Sequence, residues 1–185
     1  DVLIGSRELE KGKEVAISLG LSESAGMLNI DAAQSCEIAC LTVPFAHQEA
    51  TLLSIGNSLN TKIMIDATVP LMPPKVMRVQ LPEDGSAALK AQSILGEGVT
   101  VISAFQNISA ELLQTDKEID CDVLVTGDLL DARNTVIGLV QDAGLTGWHA
   151  GPLCNSVAAE ALTSILIAIN KKHSLAHSGI KITGH

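Results

Sequence analysis

Short apolar runs alternate along this chain with longer segments that can form helices. The runs predict strands at Val2–Ile4, Glu37–Pro44, Lys62–Pro70, Val99–Phe105, Asp122–Gly127 and Gly147–Ala150. The intervening segments predict helices at Glu8–Leu19, Asp31–Ser35, His47–Leu59, Ser86–Leu95, Ser109–Leu113, Leu130–Asp142 and Asn155–Lys172, with Asp31 as a helix cap. Apolar strands of about four to eight residues that alternate with helices are typical of an α/β fold with a parallel sheet.

This pattern predicts a Rossmann-like, doubly wound parallel sheet over residues 1–150 and a C-terminal helical extension over residues 151–185. A dinucleotide-binding unit opens with a strand, a G-x-G-x-x-G loop and a helix, but no such glycine spacing follows a predicted strand in this sequence. The first strand is central in the usual strand order. We therefore expect an N-terminal fragment that lacks roughly one strand–loop–helix segment, and with it the middle strand of the sheet.

The composition narrows the possible partners. Hydrophobic residues make up 46% of the chain and charged residues 18%, which argues for a buried core and against disorder. The aromatic residues are Phe45, Phe105 and Trp148, too few for a base-stacking surface for single-stranded nucleic acid. A net charge of -9 argues against nucleic acid or an anionic membrane as the main partner. A polyanionic ligand would need a local cluster of positive charge.

The cysteines and the longest apolar stretch bear on the compartment. Cys36, Cys40, Cys121 and Cys154 form no CxxC pair and no zinc-type spacing with histidine. We expect reduced, mostly buried thiols, no bound metal and a cytoplasmic protein. The apolar stretch Ala161–Ile169 is too short to span a bilayer, so it predicts a buried helix and no membrane partner.

Candidate chemistry lies at the end of the first predicted strand. There Gly5 is followed by Ser6 and Arg7, and Lys11 lies one helical turn further on. In dinucleotide-binding sheets, an acid at the end of the second strand holds the ribose 2′-hydroxyl, whereas an arginine accepts a 2′-phosphate. A hydroxyl, a guanidinium and an ammonium can together bind phosphate, which favours NADP over NAD. The alternative is a solvated Arg and Lys at the start of a helix.

Several segments, taken in their order along the chain, resemble the F420-dependent NADP reductases, also called F420H2:NADP oxidoreductases. They are Ser6-Arg7, Leu41–Pro44, Asp66–Leu71, Ser103–Ala110, Cys121–Asp128, Asp142–Gly144 with Ala150–Leu153, and Ile169–Lys172 with His177–Gly184. Each segment alone is a weak match, but the ordered set is specific and covers essentially the whole chain.

The resemblance implies a hydride transfer between NADP(H) and the 5-deazaflavin coenzyme F420, and a homodimer formed partly by the C-terminal region. It places Ser6, Arg7 and Lys11 at the 2′-phosphate; Thr42, Val43, Pro44 and His47 along the dinucleotide; Thr68, Val69 and Pro70 near the nicotinamide; and Ala104, Gln106, Ile108, Pro152, Leu153, Ser178 and Gly179 at positions that would form the deazaflavin and nicotinamide pocket. In such a site the protein orients two rings and excludes water, so no acid or base residue is assigned a catalytic role.

Two positions depart from the family pattern, and several alternatives stay open. Many relatives carry His where this chain has Gln106 and an apolar residue where it has Ser178; Gln does not titrate, so a proton role there is not expected. His47 can instead be a solvent-facing residue at a helix start, and Gln106 and Asn107 can satisfy loop backbone. At the level of function, the alternatives are another NADP-linked reductase of this fold, acting on an imine, a flavin or a ferric chelate, and a non-catalytic nucleotide-binding protein.

Overall fold

A computed structural model describes residues 1–115 and 118–184. Short strands and α-helices alternate through these residues. In chain order they are β1 (Ile4–Ser6), α1 (Leu9–Ser18), β2 (Gly26–Leu28), α2 (Asn29–Ser35), β3 (Ile38–Leu41), α3 (Phe45–Ile55), β4 (Ile63–Asp66), α4 (Ala87–Leu95), β5 (Thr100–Ser103), β6 (Asp122–Val125), α5 (Leu130–Asp142), β7 (Thr146–His149) and α6 (Ser156–His173). The predicted α/β architecture is confirmed.

The strands pair in three parallel groups. β1 pairs with β2, β3 and β5 flank β4, and β6 pairs with β7. An isolated antiparallel bridge between Ser103 and Thr126 joins the ends of β5 and β6, and every strand ladder in the described residues is parallel. Within the described residues no strand ladder joins β1 to β3. The expected absence of a central strand stays a prediction.

Two apolar clusters cover the two faces of the central strands. Met64 and Val101 belong to the cluster beneath α3 and α4, whereas their chain neighbours Ile65 and Ile102 belong to the cluster beneath α5. Successive side chains of a strand point to opposite faces, so strands buried on both faces read as continuous apolar runs. This two-sided burial is the doubly wound arrangement that the apolar runs predicted.

The N-terminal region differs from the prediction in two places. The first strand is Ile4–Ser6 rather than Val2–Ile4, and Val2 is 60% exposed. The sequence predicts a loop from Ser22 to Gly26, but strand β2 begins at Gly26. A Cβ on Gly26 would lie 2.3 Å from the backbone nitrogen of Lys13, so this glycine allows β2 to pack tightly on α1 and is not a loop residue.

Two helix predictions were also wrong in detail. Helix α2 begins at Asn29 with Leu28 in the cap position, so Asp31 lies inside its first turn and is not the cap. The predicted helix Ser109–Leu113 is replaced by a short 3-10 turn at Leu112–Gln114. By contrast, Ser86 caps α4 as its position at the predicted helix start suggests, since its hydroxyl accepts a hydrogen bond from Leu89 N at 3.0 Å.

Helix α6 was expected to be buried, and it is not. Ile165 and Ile169 are 45% and 37% exposed, because α6 packs on α4 along one side only, where Ala159, Glu160 and Ser164 are buried. The helical segment Leu153–His173 is also long and apolar enough to cross a membrane by length and composition, a test that core helices of soluble proteins also pass.

The cysteines were expected to be mostly buried, and only one of them is. Cys121 is buried, Cys36 is half-buried, and Cys40 and Cys154 are exposed, all as free thiols. Cys40 lies on β3, the outermost strand of its ladder, so in the part of the chain that the structure describes no strand covers one side of it. The burial of a strand cysteine depends on which strands flank it, and the apolar run alone does not give that order.

Candidate functional site

Most predicted cofactor-binding residues follow the carboxyl ends of parallel strands. Leu41, Asp66 and Ser103 are the last residues of β3, β4 and β5 and stand opposite one another in the strand register. The segments Thr42–Pro44 and Thr68–Pro70 therefore emerge at the same edge of the sheet, beside Ala104. In open α/β sheets ligands bind at this edge.

Ser6, Arg7 and Lys11 lie together at the end of β1 and the start of α1. Ser6 is the last residue of β1, and its hydroxyl accepts a hydrogen bond from Glu8 N at 3.3 Å. Arg7 and Lys11 are exposed and form no hydrogen bond or ion pair with the described residues. Lys13, in contrast, pairs with Glu10 and Glu23. Two cations thus remain available to an external anion.

The segment after β3 is the most open part of this edge. Thr42 and Pro44 are exposed and Val43 is half-buried. Pro44 occupies the cap position of α3, and its carbonyl accepts a hydrogen bond from His47 N at 2.8 Å. The His47 side chain is exposed, which fits both the cofactor contact and the solvent-facing alternative.

A buried carboxylate that the sequence analysis did not single out lies at the end of β4. Asp66 is 0% exposed; one of its oxygens accepts from Thr68 N at 2.8 Å and the other from the Gln48 amide at 2.6 Å. Burial raises the pKa of Asp66, and these hydrogen bonds oppose the rise. Because Thr68 N is held in this way, Asp66 fixes the backbone where Thr68–Pro70 begins. Thr68 and Pro70 are buried and Val69 is half-buried.

A second buried carboxylate lies close to the first. Glu160 on α6 is 1% exposed and accepts hydrogen bonds from Ala87 N at 2.6 Å and Ala88 N at 3.1 Å, at the start of α4. Desolvation raises the pKa of Glu160 to about 7, against the opposing effect of those two N–H groups. Gln48 links the two acids, since its amide also donates to the Ala87 carbonyl at 2.9 Å.

The loop after β5 connects this buried network to α6. Gln106 donates to the Asp66 carbonyl at 2.7 Å and to the Ser103 hydroxyl at 2.8 Å. The Gln106 carbonyl accepts from the Thr163 hydroxyl at 2.8 Å, and Asn107 donates to the Ala159 carbonyl at 2.8 Å. Part of the role of both amides is thus to satisfy backbone groups, as the alternative reading expected.

The same loop forms one wall of a cleft of about 310 Å³, and α6 and the C-terminal tail form the others. The residues that line it are Gln106, Asn107, Ile108, Ser109, Ala110, Glu111, Thr163, Leu166, Ile167, Asn170, His177 and Ser178. The cleft therefore brings together three residues predicted for the deazaflavin pocket, Gln106, Ile108 and Ser178. Its volume lies at the lower end of the range of small-molecule sites.

The other predicted pocket residues lie elsewhere. Leu153 is 1% exposed and packs in the apolar cluster beneath α3 and α4, and Pro152 is exposed where the turn before α6 begins. Gly179 follows Ser178 but lies against Cys121, whose sulfur would be 2.3 Å from a Cβ at that position. Ala104 is buried at the end of β5.

The cleft contains polar residues that sequence reasoning missed. His177 Nδ1 lies 2.8 Å from the Ser109 hydroxyl, and its Nε2 lies 3.6 Å from Glu111. The side-chain oxygen of Asn170 accepts hydrogen bonds from the backbone N–H and from the hydroxyl of Ser178. The available signal was the presence of the polar Thr163 and Asn170 on either side of the apolar run Ile165–Ile169 of α6. Among the described residues, no cluster of His, Cys, Asp or Glu is suited to hold a metal ion.

The tail reaches the cleft because it is anchored to β6. Asp122 N donates to the Ile180 carbonyl at 2.8 Å, and the Asp122 carboxylate accepts from Ile182 N and from Trp148 Nε1, each at 2.8 Å. Burial by itself would raise the pKa of Asp122, but these hydrogen bonds and the Lys181 ammonium outweigh it and lower that pKa. The anchor fixes the segment that carries Ser178 and His177.

The family model and two curated proteins that match this chain name the same family. A family model described as "NADP oxidoreductase coenzyme F420-dependent" matches residues 1–70. The F420-dependent NADP reductase of Methanothermobacter marburgensis is 37% identical over 195 residues, covering 99% of this chain and 87% of that protein. The corresponding protein of Methanocaldococcus jannaschii is 34% identical, covering 98% of this chain and 87% of that protein.

A solved structure shows the same fold. It comes from Arthrobacter sp. FB24, is provisionally described as an F420-dependent NADP reductase, and matches with a TM-score of 0.81 at 21% identity, over 99% of this chain and 88% of that one. At this identity the match supports the fold alone. The sequence matches extend over almost the whole length of the chain, so they include both the strand ends and the cleft.

Proposed function

This chain belongs to the family of F420-dependent NADP reductases, and from that premise we propose that its strand ends hold NADP and its cleft holds the deazaflavin ring. The protein is an oxidoreductase that transfers a hydride between NADP(H) and coenzyme F420. The identity of 34–37% with curated reductases over nearly the full chain carries this assignment. It also favours F420 over the imine, flavin or ferric acceptors considered above.

The described residues fit both cofactors. Arg7 and Lys11 are exposed cations without a described partner, and Ser6 adds a hydroxyl, so the three can bind a 2′-phosphate. The cleft beside Gln106 and Ile108 has apolar walls from α6 and amide groups from the loop after β5, a combination suited to a planar ring with polar edges.

The chain's contribution to the reaction is positioning. The bound pair supplies the chemistry, a direct hydride transfer between two rings. Asp66 fixes the start of the Thr68–Pro70 segment, and Gln106 fixes the loop after β5 against the Asp66 carbonyl. These two hydrogen bonds fix the position of the proposed nicotinamide segment relative to one wall of the cleft. Direct transfer requires such alignment and the exclusion of water.

The assignment is tested by mixing the purified protein with NADPH and F420 and following the deazaflavin absorbance. Loss of the oxidised-deazaflavin absorbance with NADPH is expected. No absorbance change at any pH would contradict the function. Dinucleotide binding without turnover of any acceptor would favour a non-catalytic nucleotide-binding protein.

The phosphate site is tested by Arg7→Ala. Removing a charge-assisted hydrogen bond weakens binding by about 1.5–3 kcal/mol, so the Kd for NADPH should rise by about tenfold to a hundredfold while that for NADH stays unchanged. Lys13→Ala is the matched control, because Lys13 lies on the same helix but is already paired with Glu10 and Glu23. Equal effects of Arg7→Ala on both dinucleotides would contradict the 2′-phosphate assignment.

The protein is further proposed to be a cytoplasmic homodimer with small-molecule cofactors as its partners, without nucleic acid or membrane. Free cysteines support the compartment. The exposed Ile165 and Ile169, one turn apart on α6, support a dimer contact. Ile165→Lys should convert a dimer to a monomer in sedimentation, whereas Leu53→Lys, at an exposed leucine of α3, should not. A monomeric wild-type protein would contradict the dimer.

A further inference from the structure

Two buried carboxylates at the ligand-binding edge have no positive partner among the described residues. Asp66 and Glu160 are 0% and 1% exposed, and no Lys, Arg or His in the described residues forms an ion pair with either of them. Burying a charge without a partner is unfavourable, and native proteins usually pair such groups. Unpaired buried acids at a functional edge are therefore candidates for a role toward a ligand.

The hydrogen bonds around both groups are those of the ionised form. The oxygens of Asp66 accept from Thr68 N and from the Gln48 amide, and the Ala87 carbonyl fixes the orientation of that amide. The oxygens of Glu160 accept from Ala87 N and Ala88 N. The backbone N–H groups are fixed donors, which favour the ionised form of a carboxylate. The site is thus organised to hold negative charge against the cost of burial, which raises the pKa of both groups.

This charge lies directly behind the segment proposed to contact the nicotinamide. Asp66 precedes Thr68–Pro70 and holds Thr68 N at 2.8 Å. Glu160 is linked to the same segment through Gln48, whose amide donates to Asp66 and to the carbonyl of Ala87, the residue whose N–H donates to Glu160. A nicotinamide ring is neutral when reduced and positively charged when oxidised. A fixed negative charge in a buried site therefore interacts differently with the two states.

We propose that Asp66, supported by Glu160, sets the redox preference of the NADP site by stabilising the oxidised, cationic nicotinamide relative to the reduced one. This inference rests on the proposed function, which puts the nicotinamide beside Thr68–Pro70. Its consequence is that the bound pair favours hydride departure from NADPH toward the deazaflavin. A role limited to holding the backbone would affect both redox states of NADP equally.

The test measures equilibrium binding without turnover. The Kd values for NADP⁺, by calorimetry, and for NADPH, by its fluorescence, are determined at pH 8 for the wild type, Asp66→Asn and Glu160→Gln. For Asp66→Asn the ratio of the NADP⁺ Kd to the NADPH Kd should rise by about tenfold, a shift of about 30 mV in the two-electron potential of bound NADP. For Glu160→Gln the ratio should rise by about threefold.

Asp128→Asn is the matched control. The Asp128 carboxylate also accepts a backbone hydrogen bond, from Leu153 N at 2.9 Å, but it is exposed at the end of β6. Its variant should leave the ratio unchanged. If Asp66→Asn does not fold, as judged by circular dichroism, the ratio for Glu160→Gln decides.

An equal rise in both Kd values, or no change in their ratio, would overturn the inference. Neither result would contradict the proposed reductase function. A wild-type protein that binds neither form of NADP would instead contradict the proposed function. The two failures are therefore distinguishable.

Discussion

Two buried aspartates occupy opposite situations in this chain. Asp66 ends β4 and Asp122 begins β6, and the two side chains are 0% and 2% exposed. Both accept a backbone N–H, but Lys181 lies 3.7 Å from Asp122, and within the described residues no cation pairs with Asp66. Burial raises the pKa of Asp66, whereas hydrogen bonds and the nearby ammonium, against burial, lower that of Asp122.

The difference separates a carboxylate paired with a cation from one that, among the described residues, has hydrogen-bond donors but no cationic partner. Asp122 joins β6, β7 and the tail through Trp148 Nε1 and Ile182 N, so its charge is used within the chain. Asp66 organises its own loop, and no cation among the described residues pairs with it. Buried charge in a protein is usually paired, and functional sites are the common exception. The following predictions test this contrast.

The largest effect is expected at the anchor. Asp122→Ala leaves Trp148 Nε1 and Ile182 N without their acceptor and releases the tail, so the free energy of unfolding should fall by about 3 kcal/mol in urea denaturation. Asp120→Ala is the control, because Asp120 is exposed and forms a surface ion pair with Lys181; it should change stability by less than about 0.5 kcal/mol. Equal losses would show that Asp122 is no special anchor.

A smaller effect on stability is expected from Glu160, the buried acid that shares a hydrogen-bond network with Asp66. The pKa of Glu160 is raised from 4.5 to about 7 in the folded chain, so between these values the folded state holds a proton that the unfolded state has lost. This contribution makes wild-type stability fall as pH rises from about 5 to 7, by on the order of 2 kcal/mol, and Glu160→Gln should remove it. Urea denaturation at both pH values measures the difference.

The lowered pKa of Asp122 gives a contribution of opposite sign, which is present above its ordinary value and is lost as pH falls further into the acid range. The control for Glu160→Gln is Glu111→Gln, at an exposed carboxylate on the cleft rim. This variant should keep the wild-type dependence of stability on pH between about 5 and 7. If the stability of Glu160→Gln depended on pH as the wild type does, the pKa of Glu160 would not be raised in the folded chain.

The contact between the tail and β6 should be sensitive to a single methyl group. In Gly179→Ala the new Cβ would meet the Cys121 sulfur at 2.3 Å and its Cβ at 2.9 Å, so the tail must shift. Overpacking of this kind destabilises by about 1–2 kcal/mol. Faster limited proteolysis after Lys181 would report the shift. Gly184→Ala, where no atom lies within 4 Å, should leave proteolysis and stability unchanged.

The smallest effect concerns one hydrogen bond of the anchor. Trp148→Phe removes the bond from Nε1 to Asp122, 2.8 Å long, but keeps an aromatic ring on β7. A net loss of about 1 kcal/mol is expected in urea denaturation. A loss as large as that of Asp122→Ala would mean that the tryptophan rather than the aspartate organises this corner.

Local patterns were sufficient for much of the fold. Helix α5 begins and ends at the predicted residues, Leu130 and Asp142, because a polar loop and Gly144 bound an amphipathic segment. The loop predicted from Ser22 to Gly26 overlaps the start of β2, and the strand was missed because its pairing with β1 is a long-range contact. The exposure of α6 was missed for a related reason, because hydropathy does not show which neighbours are present.

The sequence by itself determined the alternation of strands and helices and the presence of Ser6 and Arg7 at a strand end, because these depend on neighbouring residues and on ordered motifs. Only the tertiary structure showed that Asp66 and Glu160 share a buried network and that Asp122 is compensated by Lys181. Burial and charge pairing join residues that are distant in the chain, so no local pattern reports them.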